Sequence, residues 1–383
     1  MFGFKRKAAA VAPETKASVT GRLAAMGAVG RAVWSPRDTG SLMRMGFAGN
    51  PVGFRAVKLI SEAAAAMPLY CSEDGTRMEA HPMLALLDRP NAAQGRAEFI
   101  ETLCGQFLLS GNAYVEAVGS GGMPAELHVL RSDRMSVVPG GDGWPVAYDY
   151  TVGGRSHRFK VGEVSPICHI RAFHPQDDHY GLSPLAPAAG ALDVHDAASR
   201  WSKGLLDNAA RPSGAIVNSG EGLTQEQFDM LSAEMEAQHQ GARNAGRPML
   251  LDGGLDWKPM GFSPSDMEFQ KTKEAAAREI AMAFGVPPMM LGIPGDATYA
   301  NYAEANRAFY RLTVVPLLMK LCDGLAHWIG RHGGFDARLD VDRDRVPALQ
   351  AERDAEWARI TGADFLSEAE KRRMLGLPPK DDA

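Results

Sequence analysis

The stretch SPSDMEFQKTKEAAAREIAMAFGVPP, residues 263–288, predicts a helix with a defined start and a defined end. Ser263 supplies a hydroxyl at the N-cap, and Pro264 suits the first helical position, where its missing N–H leaves no bond unmade. Gly285 can adopt the left-handed conformation that ends a helix, and the two prolines that close the stretch prevent continuation. The sequence therefore predicts a helix that ends near Phe284.

A second and longer helix is predicted after a loop rich in glycine and proline, LGIPGD at residues 291–296. It runs from about Tyr299 to Arg331, which corresponds to roughly 45–50 Å at 1.5 Å per residue. Pro316 lies inside this helix, so a kink is expected there. Two long helices joined by a loop indicate a structural element that moves as a unit more than they indicate a catalytic pocket.

An earlier helix has the same kind of start, with Ser183 and Pro184, and ends before Arg211. Its apolar positions fall alternately four and three residues apart and form one narrow seam. The members of this seam are Pro187, Ala191, Val194, Ala198, Trp201 and Leu205. The small alanines would let another helix approach closely, although an ordinary amphipathic helix on a sheet has the same spacing.

Residues 210–262, between the two Ser-Pro helices, have the pattern of a small βαββ insert. Strands are predicted at 214–218, 248–251 and 255–260. A helix is predicted at 224–240, since Thr224 and Gln227 have the spacing of a capping box. The chain thus leaves the first unit along one helix and returns along another.

The part before residue 183 is predicted to be an α+β unit. Asn50 caps a helix up to Ala66, and residues 111–171 contain six short runs separated by glycine pairs, which is typical of antiparallel hairpins. Residues up to 49 are rich in alanine, glycine and basic side chains without a steady period, so a flexible arm is predicted there. Near the C-terminus, a strand is predicted at 335–341 and a capped helix at 367–375.

The composition is that of an ordinary soluble protein, with 45% apolar and 23% charged residues. The net charge of −5 gives no general attraction to nucleic acid. The most apolar run, 314–329, is interrupted by polar residues and is shorter than a membrane span, so no membrane is predicted. The four cysteines have no metal or disulfide spacing, which favours reduced structural thiols in the cytoplasm.

The strongest indication of an enzyme is a group of four residues: Cys168, His169, His174 and His179. Their spacing matches no zinc pattern, and structural and loop histidines are the more usual interpretation. The chain has no Gly-Lys dipeptide for a phosphate loop and no His-Glu-x-x-His motif. We therefore predict no catalytic residues, no metal and no cofactor. A Cys/His hydrolase stays as the alternative from another class, and its signature would be turnover lost on mutating Cys168 or His169.

A set of short motifs, each common by itself, occurs here in a specific order. The motifs are GNAY (111–114), GLSPL (181–185), RPSG (211–214), FGVPP (284–288) with LG (291–292), Asn301 with Glu304, and LGLP (375–378). In this order and spacing the chain resembles the portal proteins of tailed bacteriophages, in the lambda-like long-tailed branch, and those of gene transfer agents. The likeness extends from about residue 50 to residue 379.

The resemblance implies a ring, usually of twelve copies, at one vertex of a capsid assembled in the bacterial cytoplasm. Double-stranded DNA would be packaged through the ring and later ejected. The implied partners are the terminase large subunit, a head–tail adaptor and the major capsid protein. Contact with DNA should be weak and independent of sequence, because a channel through which DNA slides should not hold phosphates tightly. A smaller head–tail adaptor ring is the alternative within the same class.

The resemblance also implies a division of the chain into the parts of a portal subunit. They are an N-terminal arm (1–49), the wing (50–182), stem helix 1 (183–209), the clip (210–262), stem helix 2 (263–285), the tunnel loop and kinked helix (286–331), a return strand of the wing (332–350) and the crown (351–383). The residues expected to face DNA are Ile293, Pro294, Asp296, Thr298, Tyr299 and Asn301. Those expected to pack the stem are Ala191, Val194, Ala198, Trp201 and Leu205, and those expected to meet the terminase or adaptor are Thr224, Gln227, Glu234 and Gln238. The sequence is short beyond the last helix, so an extended crown is not expected.

Overall fold

The computed structural model describes residues 34–78, 80–119, 121–207, 214–218, 255–259, 266–295 and 299–375, together with three single residues, Glu226, Met230 and Leu377. It has the mixed helix and antiparallel-sheet architecture that the sequence predicted. The predicted helix at 224–240 and the predicted strand at 248–251 lie outside the described residues, apart from those at 226 and 230.

The helices are α1 (Thr39–Met43), α2 (Pro51–Ala65), α3 (Pro82–Asp88), α4 (Arg96–Ser110), α5 (Leu185–Asp207), α6 (Asp266–Ala283), α7 (Tyr299–Phe309), α8 (Val315–Gly333), α9 (Gln350–Thr361) and α10 (Glu368–Met374). The strands are β1 (Leu69–Glu73), β2 (Thr76–Met78), β3 (Asn112–Val118), β4 (Glu126–Leu130), β5 (Met135–Pro139), β6 (Pro145–Val152), β7 (Arg155–Lys160), β8 (Ile167–Arg171), β9 (Gly214–Asn218), β10 (Leu255–Pro259) and β11 (Arg338–Val341). A π turn at Arg44–Ala48 continues α1, and a second at Tyr310–Val314 joins α7 to α8.

The strands pair in small antiparallel sheets, in the orders β11-β1-β2, β4-β3-β8, β5-β6-β7 and β9-β10. The strand β11 follows the long helix in sequence but pairs with β1, so that Leu69 is opposite Val341. The last part of the chain therefore returns to the first unit. Pairing of β9 with β10 closes the base of the 214–259 insert, with Gly214 opposite Pro259.

The strand β3 is buried on both of its faces. Ala113 and Val115 belong to the main core, which α2, α4, α5 and α8 also line. Tyr114 points the other way, into a second cluster with Met135 and Tyr148 under the β5-β6-β7 sheet. Burial on both sides explains why this strand has a continuous apolar run rather than a strict alternation.

The helix α8 is the central element of the main core. Leu318, Leu321, Leu325 and Ile329 are fully buried at spacings of three and four residues. The continuous helical run Ala300–Gly333 has 34 residues and a window of mean hydropathy 1.3, which is long and apolar enough for a membrane span by length and composition alone. The apolar run 314–329 of the prediction lies inside this longer helix. Half of that window is buried inside the protein, as in the core helix of a water-soluble domain.

Residues 39–48, which the composition assigned to the flexible arm, are helical. The side chain of Asp38 caps α1 by accepting a hydrogen bond from the Ser41 N–H, 3.0 Å away. Leu42 is buried against the core, and a Cβ at Gly46 would meet the side chain of Leu185 at 2.4 Å. Glycine at this position thus lets the π turn lie directly on α5. Sequence patterns missed this element because it is short and contains two glycines, which are poor helix formers.

Two motifs that are far apart in sequence meet at the start of α5. The carbonyl of Gly111 accepts a hydrogen bond of 2.8 Å from the N–H of Ala172, and the side-chain oxygen of Asn112 accepts one of 2.8 Å from the N–H of Gly181. The hydroxyl of Ser183 donates to the carbonyl of Leu108 at 3.1 Å. The end of α4, the strands β3 and β8 and the start of α5 are therefore joined at one point, which we call the GN–GLS junction (residues 111, 112 and 181–183).

The helices α5 and α6 pack against each other along the predicted seam. Ala191 and Ala198 on α5 are buried, and the ring of Trp201 stacks on Phe269 of α6 with centroids 4.0 Å apart. Val194 is half-buried. Leu205 belongs to α5, but its side chain lies outside the described part. One partner of the seam is thus a helix of the same chain.

We expect Gly181→Ala to destabilise the fold strongly. A Cβ at Gly181 would lie 2.0 Å from the carbonyl oxygen of Gly111 and 2.5 Å from the backbone nitrogen of Ala172, and neither backbone can move freely. The free energy of unfolding should fall by about 3 kcal/mol or more in a denaturant titration. The control is Gly105→Ala in α4, where the new Cβ has only Ser61 Oγ at 4.0 Å and should be neutral or stabilising. Equal stability of the two variants would contradict a tight junction.

We expect Ala198→Leu to lower the free energy of unfolding by about 1–3 kcal/mol, because three extra carbons must enter a closely packed helix contact. Ala197→Leu is the matched control, since its position on the same helix is exposed. Chemical denaturation of both variants measures the difference. A loss of the same size in both would argue against close packing along the seam.

Candidate functional site

The loop between α6 and α7 is the first candidate site. The helix α6 ends at Gly285, whose φ of +66° is the left-handed conformation predicted from sequence. A 3-10 turn at Pro288–Leu291 follows, and Gly292 ends it with φ of +73°. The guanidinium of Arg278, on the exposed face of α6, donates to the carbonyl of Pro294. The loop is therefore tied back to the helix that precedes it.

The end of α6 also touches the π turn between α7 and α8. The hydroxyl of Thr313 donates a hydrogen bond of 2.6 Å to the carbonyl of Gly285. In the π turn, the N–H of Val315 bonds to the carbonyl of Tyr310, five residues earlier. Such turns are often found at functional positions in helices. The first residue of the loop, Gly285, is consequently held by the end of α6 on one side and by Thr313 of the π turn on the other.

The predicted DNA-facing residues that the structure describes lie in the loop after α6 and at the start of α7. Ile293 is half-buried, Pro294 is exposed, and Asn301 is exposed in the first turn of α7. Tyr299 is the first residue of α7, but its side chain lies outside the described part, as do Asp296 and Thr298 altogether. Residues 300–304 are all exposed, so the start of α7 protrudes from the subunit.

The long helix departs from regular α-helical geometry at the π turn, just before Pro316, where a kink was expected. Pro316 is in the first turn of α8, and the π turn ends at Val314. Pro316 has no N–H to donate to the preceding turn, so one regular helical hydrogen bond is absent there. A kink at Pro316 stays a prediction.

The four residues predicted to form the clip contact, Thr224, Gln227, Glu234 and Gln238, lie outside the described residues. The clip contact therefore stays a prediction, as do the roles assigned to the loop and stem residues.

The Cys168–His179 group does not form a catalytic arrangement. Cys168 is buried, and burial raises the pKa of its thiol to about 12, so a thiolate is strongly disfavoured. Its Sγ faces the carbonyl of Gly324 at 3.7 Å. Among the residues that the structure describes, no cluster of three or more His, Cys, Asp or Glu has the geometry of a metal site.

His169 instead belongs to an aromatic cluster. Its ring stacks on Tyr114 at 4.3 Å between centroids and meets Tyr148 edge-on at 5.8 Å. Because the Asn112 side-chain oxygen already accepts from Gly181, His169 Nε2 must carry a hydrogen and donate to that oxygen at 3.0 Å. Burial, with smaller contributions from Arg171 and His179, lowers the His169 pKa to about 3. The imidazole is therefore neutral and part of the GN–GLS junction.

Sequence reasoning named the motifs of this junction but did not find that they touch. Asn112 and Gly181 are 69 positions apart, and the polar side chains that join them have no periodic signal. An asparagine directly after the glycine that ends α4 was the one available indication, since an amide at the start of a buried strand requires partners.

We expect stability to fall on acidification because of His169. A histidine with a depressed folded pKa binds fewer protons when folded, so its contribution is complete above the unfolded pKa of about 6.5 and is lost as the pH falls toward 3. The loss should be about 2 kcal/mol between pH 7 and pH 5. His169→Gln keeps a donor near the Nε2 position but cannot titrate, so its pH dependence should be shallower, while His157→Gln at an exposed site should match the parent chain. Identical slopes for all three in denaturation curves would contradict this origin.

Comparison with known proteins identifies the family. The family model described as phage portal protein matches residues 51–376. The portal protein of Enterobacteria phage HK97 is 27% identical over 286 residues, which cover 72% of this chain and 66% of the phage protein.

Two solved structures have much higher identity. A chain in the neck of an empty gene transfer agent particle, computed with C6 symmetry, is 69% identical with a TM-score of 0.74, over 92% of this chain and 96% of that one. A chain in the neck of a native particle, computed with C12 symmetry, is 68% identical with a TM-score of 0.71, over 92% and 96%. The chain therefore belongs to the phage portal protein family, as a structural subunit of the portal vertex of a phage-like particle, where the DNA channel lies.

Proposed function

We propose that twelve copies of this chain form the portal ring of a gene transfer agent-type particle, through which double-stranded DNA is packaged and ejected. The observation that carries the proposal is the 68% identity, over 92% of the chain, with a protein of a particle neck of C12 symmetry. Identity at that level over the whole described fold supports the same assembly mode. The chain's own geometry agrees, since two long helices bracket an insert and a loop lies at one end of them.

The parts of the subunit follow from this assignment. In our proposal α5 and α6 are the stem, the 214–259 insert is the clip, and the loop after Gly285 with the protruding start of α7 lines the tunnel. The strands between α4 and α5, with β1, β2 and β11, are the wing. The helices α9 and α10 are a small crown.

The proposed tunnel lining is suited to weak contact with DNA. The first turns of α7 present Asn301, Tyr302 and Glu304, and Glu304 pairs with Arg307 at 3.1 Å, so that this cation is already neutralised. Arg278 is engaged with the loop carbonyl of Pro294. A surface with few unpaired cations holds few phosphates, and affinity for DNA should therefore be low and insensitive to sequence.

The remaining partners follow from the role of the ring. The clip, with Thr224, Gln227, Glu234 and Gln238, would meet the terminase large subunit during packaging and a head–tail adaptor afterwards. The wing would face the major capsid protein.

Two alternative functions, a separate adaptor role and a Cys/His hydrolase, are less favoured. The family match covers residues 51–376, which argues against the adaptor, and the Cys168 thiol is held protonated, which argues against the hydrolase.

We expect purified protein to form a ring of roughly 490 kDa, since twelve copies of a 41.2 kDa chain assemble in closed symmetry. Native mass measurement and negative-stain images of the same fraction test this. A ring with a central hole and twelve or thirteen subunits would support the proposal. A monomer or dimer that is stable across protein and salt concentrations would contradict it.

A further inference from the structure

An exposed tryptophan stands on a rigid turn at one end of the β5-β6-β7 sheet. The N–H of Gly140 donates to the carbonyl of Trp144 at 2.7 Å, and the N–H of Trp144 donates to the Asp142 carboxylate at 3.1 Å. Gly143 supplies the positive φ of +84° that the turn requires. The Trp144 residue is nevertheless 71% exposed. An exposed indole on a backbone that is fixed in place is typical of the anchor residues of protein interfaces.

Trp144 borders an open cavity of about 560 Å³ between this turn and the segment after β8. Tyr148 and His169 form aromatic walls, and His169 is neutral as described above. His179 also lines the cavity, and its two ring nitrogens are buried without a hydrogen-bond partner in the described part of the chain. Unsatisfied buried nitrogens are uncommon in native proteins and indicate that a polar group is missing from this place. We call this cavity the Trp144 pocket.

The chemistry of the Trp144 pocket favours a guanidinium group. Trp144 and Tyr148 offer aromatic faces, which attract cations, and the Asp142 carboxylate lies at the rim. An imidazole nitrogen that carries no hydrogen can accept a hydrogen bond, and His179 places both of its ring nitrogens in the pocket lining. Arg171 also lines the pocket and donates to the backbone carbonyl of Asp178, but the two acidic residues of the lining, Asp142 and Asp178, outnumber it.

A cation without a partner lies at the opposite end of the same sheet. Arg155 begins β7 at the tight β6–β7 turn and is exposed, with no ion pair or side-chain hydrogen bond to the described residues. Arg158 on the same strand differs, since its guanidinium forms a bidentate ion pair with the Asp149 carboxylate, with N···O distances of 2.7 and 2.6 Å. The eight residues of β6 separate the two turns by roughly 25 Å. Arg155 therefore cannot reach the Trp144 pocket of its own subunit.

A cyclic ring joins each copy to the next through two different faces, so complementary features must lie on separate parts of one chain. We propose that Arg155 of each subunit enters the Trp144 pocket of its neighbour in the ring. This inference rests on the ring of the proposed function and assigns one of its contacts. The partner copy supplies the cation, and the pocket supplies two aromatic faces, a carboxylate and an imidazole.

The test compares ring assembly of the full chain with that of Trp144→Ala, Arg155→Ala and the double variant, by sedimentation over a range of protein concentrations. Each single substitution should raise the protein concentration at half-assembly by roughly tenfold. Because both side chains belong to one contact, the double variant should need no higher a concentration than the more impaired of the two single variants. Both side chains are exposed in the subunit, so the melting of dissociated subunits should not change. Arg155→Glu should weaken assembly further, and Asp142→Lys combined with it should restore part of the loss.

Matched controls are Phe173→Ala, which removes an aromatic ring that is 81% exposed and does not line the pocket, and Lys160→Ala, which removes a cation from the other end of β7. Both should assemble as the parent chain does. Normal assembly of either test variant would overturn the contact, and so would additive losses in the double variant. Absence of any ring from the parent chain would refute the proposed function itself, which keeps the two failures distinct.

Discussion

The close approach of Gly111 to Gly181 is the contact on which the rest of the subunit depends. The Gly111 carbonyl would lie 2.0 Å from a Cβ at position 181, so the two backbones can meet only because the second residue has no side chain. Asn112 then joins the Gly181 N–H and His169 through one oxygen atom. The direction in which α5 leaves the β4-β3-β8 sheet is fixed there. The helix α6, which packs on α5, follows that direction.

A second set of contacts links the end of α6 to the helix that returns through the core. Thr313 bonds to the Gly285 carbonyl and Arg278 to the Pro294 carbonyl. Phe309, just before the π turn, and Val314, its last residue, are both buried. The helix α8 continues into the main core, where Trp328 and Arg331 donate to the carbonyls of the β7–β8 loop. A displacement at the end of α6 would therefore act on the following loop directly, and on the β7–β8 loop through α8.

Much of this architecture was accessible from the sequence because its signals are local. The Asn50 cap, the Gly285 stop and the Ser367 capping box depend on residues within a few positions of each other, and each is present in the structure. The strands between residues 112 and 171 were found for the same reason, since glycine turns separate them. The GN–GLS junction, the stacking of Trp201 on Phe269 and the Trp144 pocket depend on tertiary packing, which no periodicity reports. The π turn has no distinct sequence pattern either, and the proline that follows it suggested only a kink.

The π turn at Tyr310–Val314 has a consequence for how this protein can change over evolutionary time. A π turn accommodates one residue more than an α-helical turn, and each helical residue corresponds to a rotation of about 100°. Loss of a single codon in this segment would restore a regular helix and rotate α7 by about that angle, while α8 and the core stay where they are. A different face of α7 would then be presented at its protruding end. The segment is thus a position at which one deletion can change the exposed face of α7 without changing the fold.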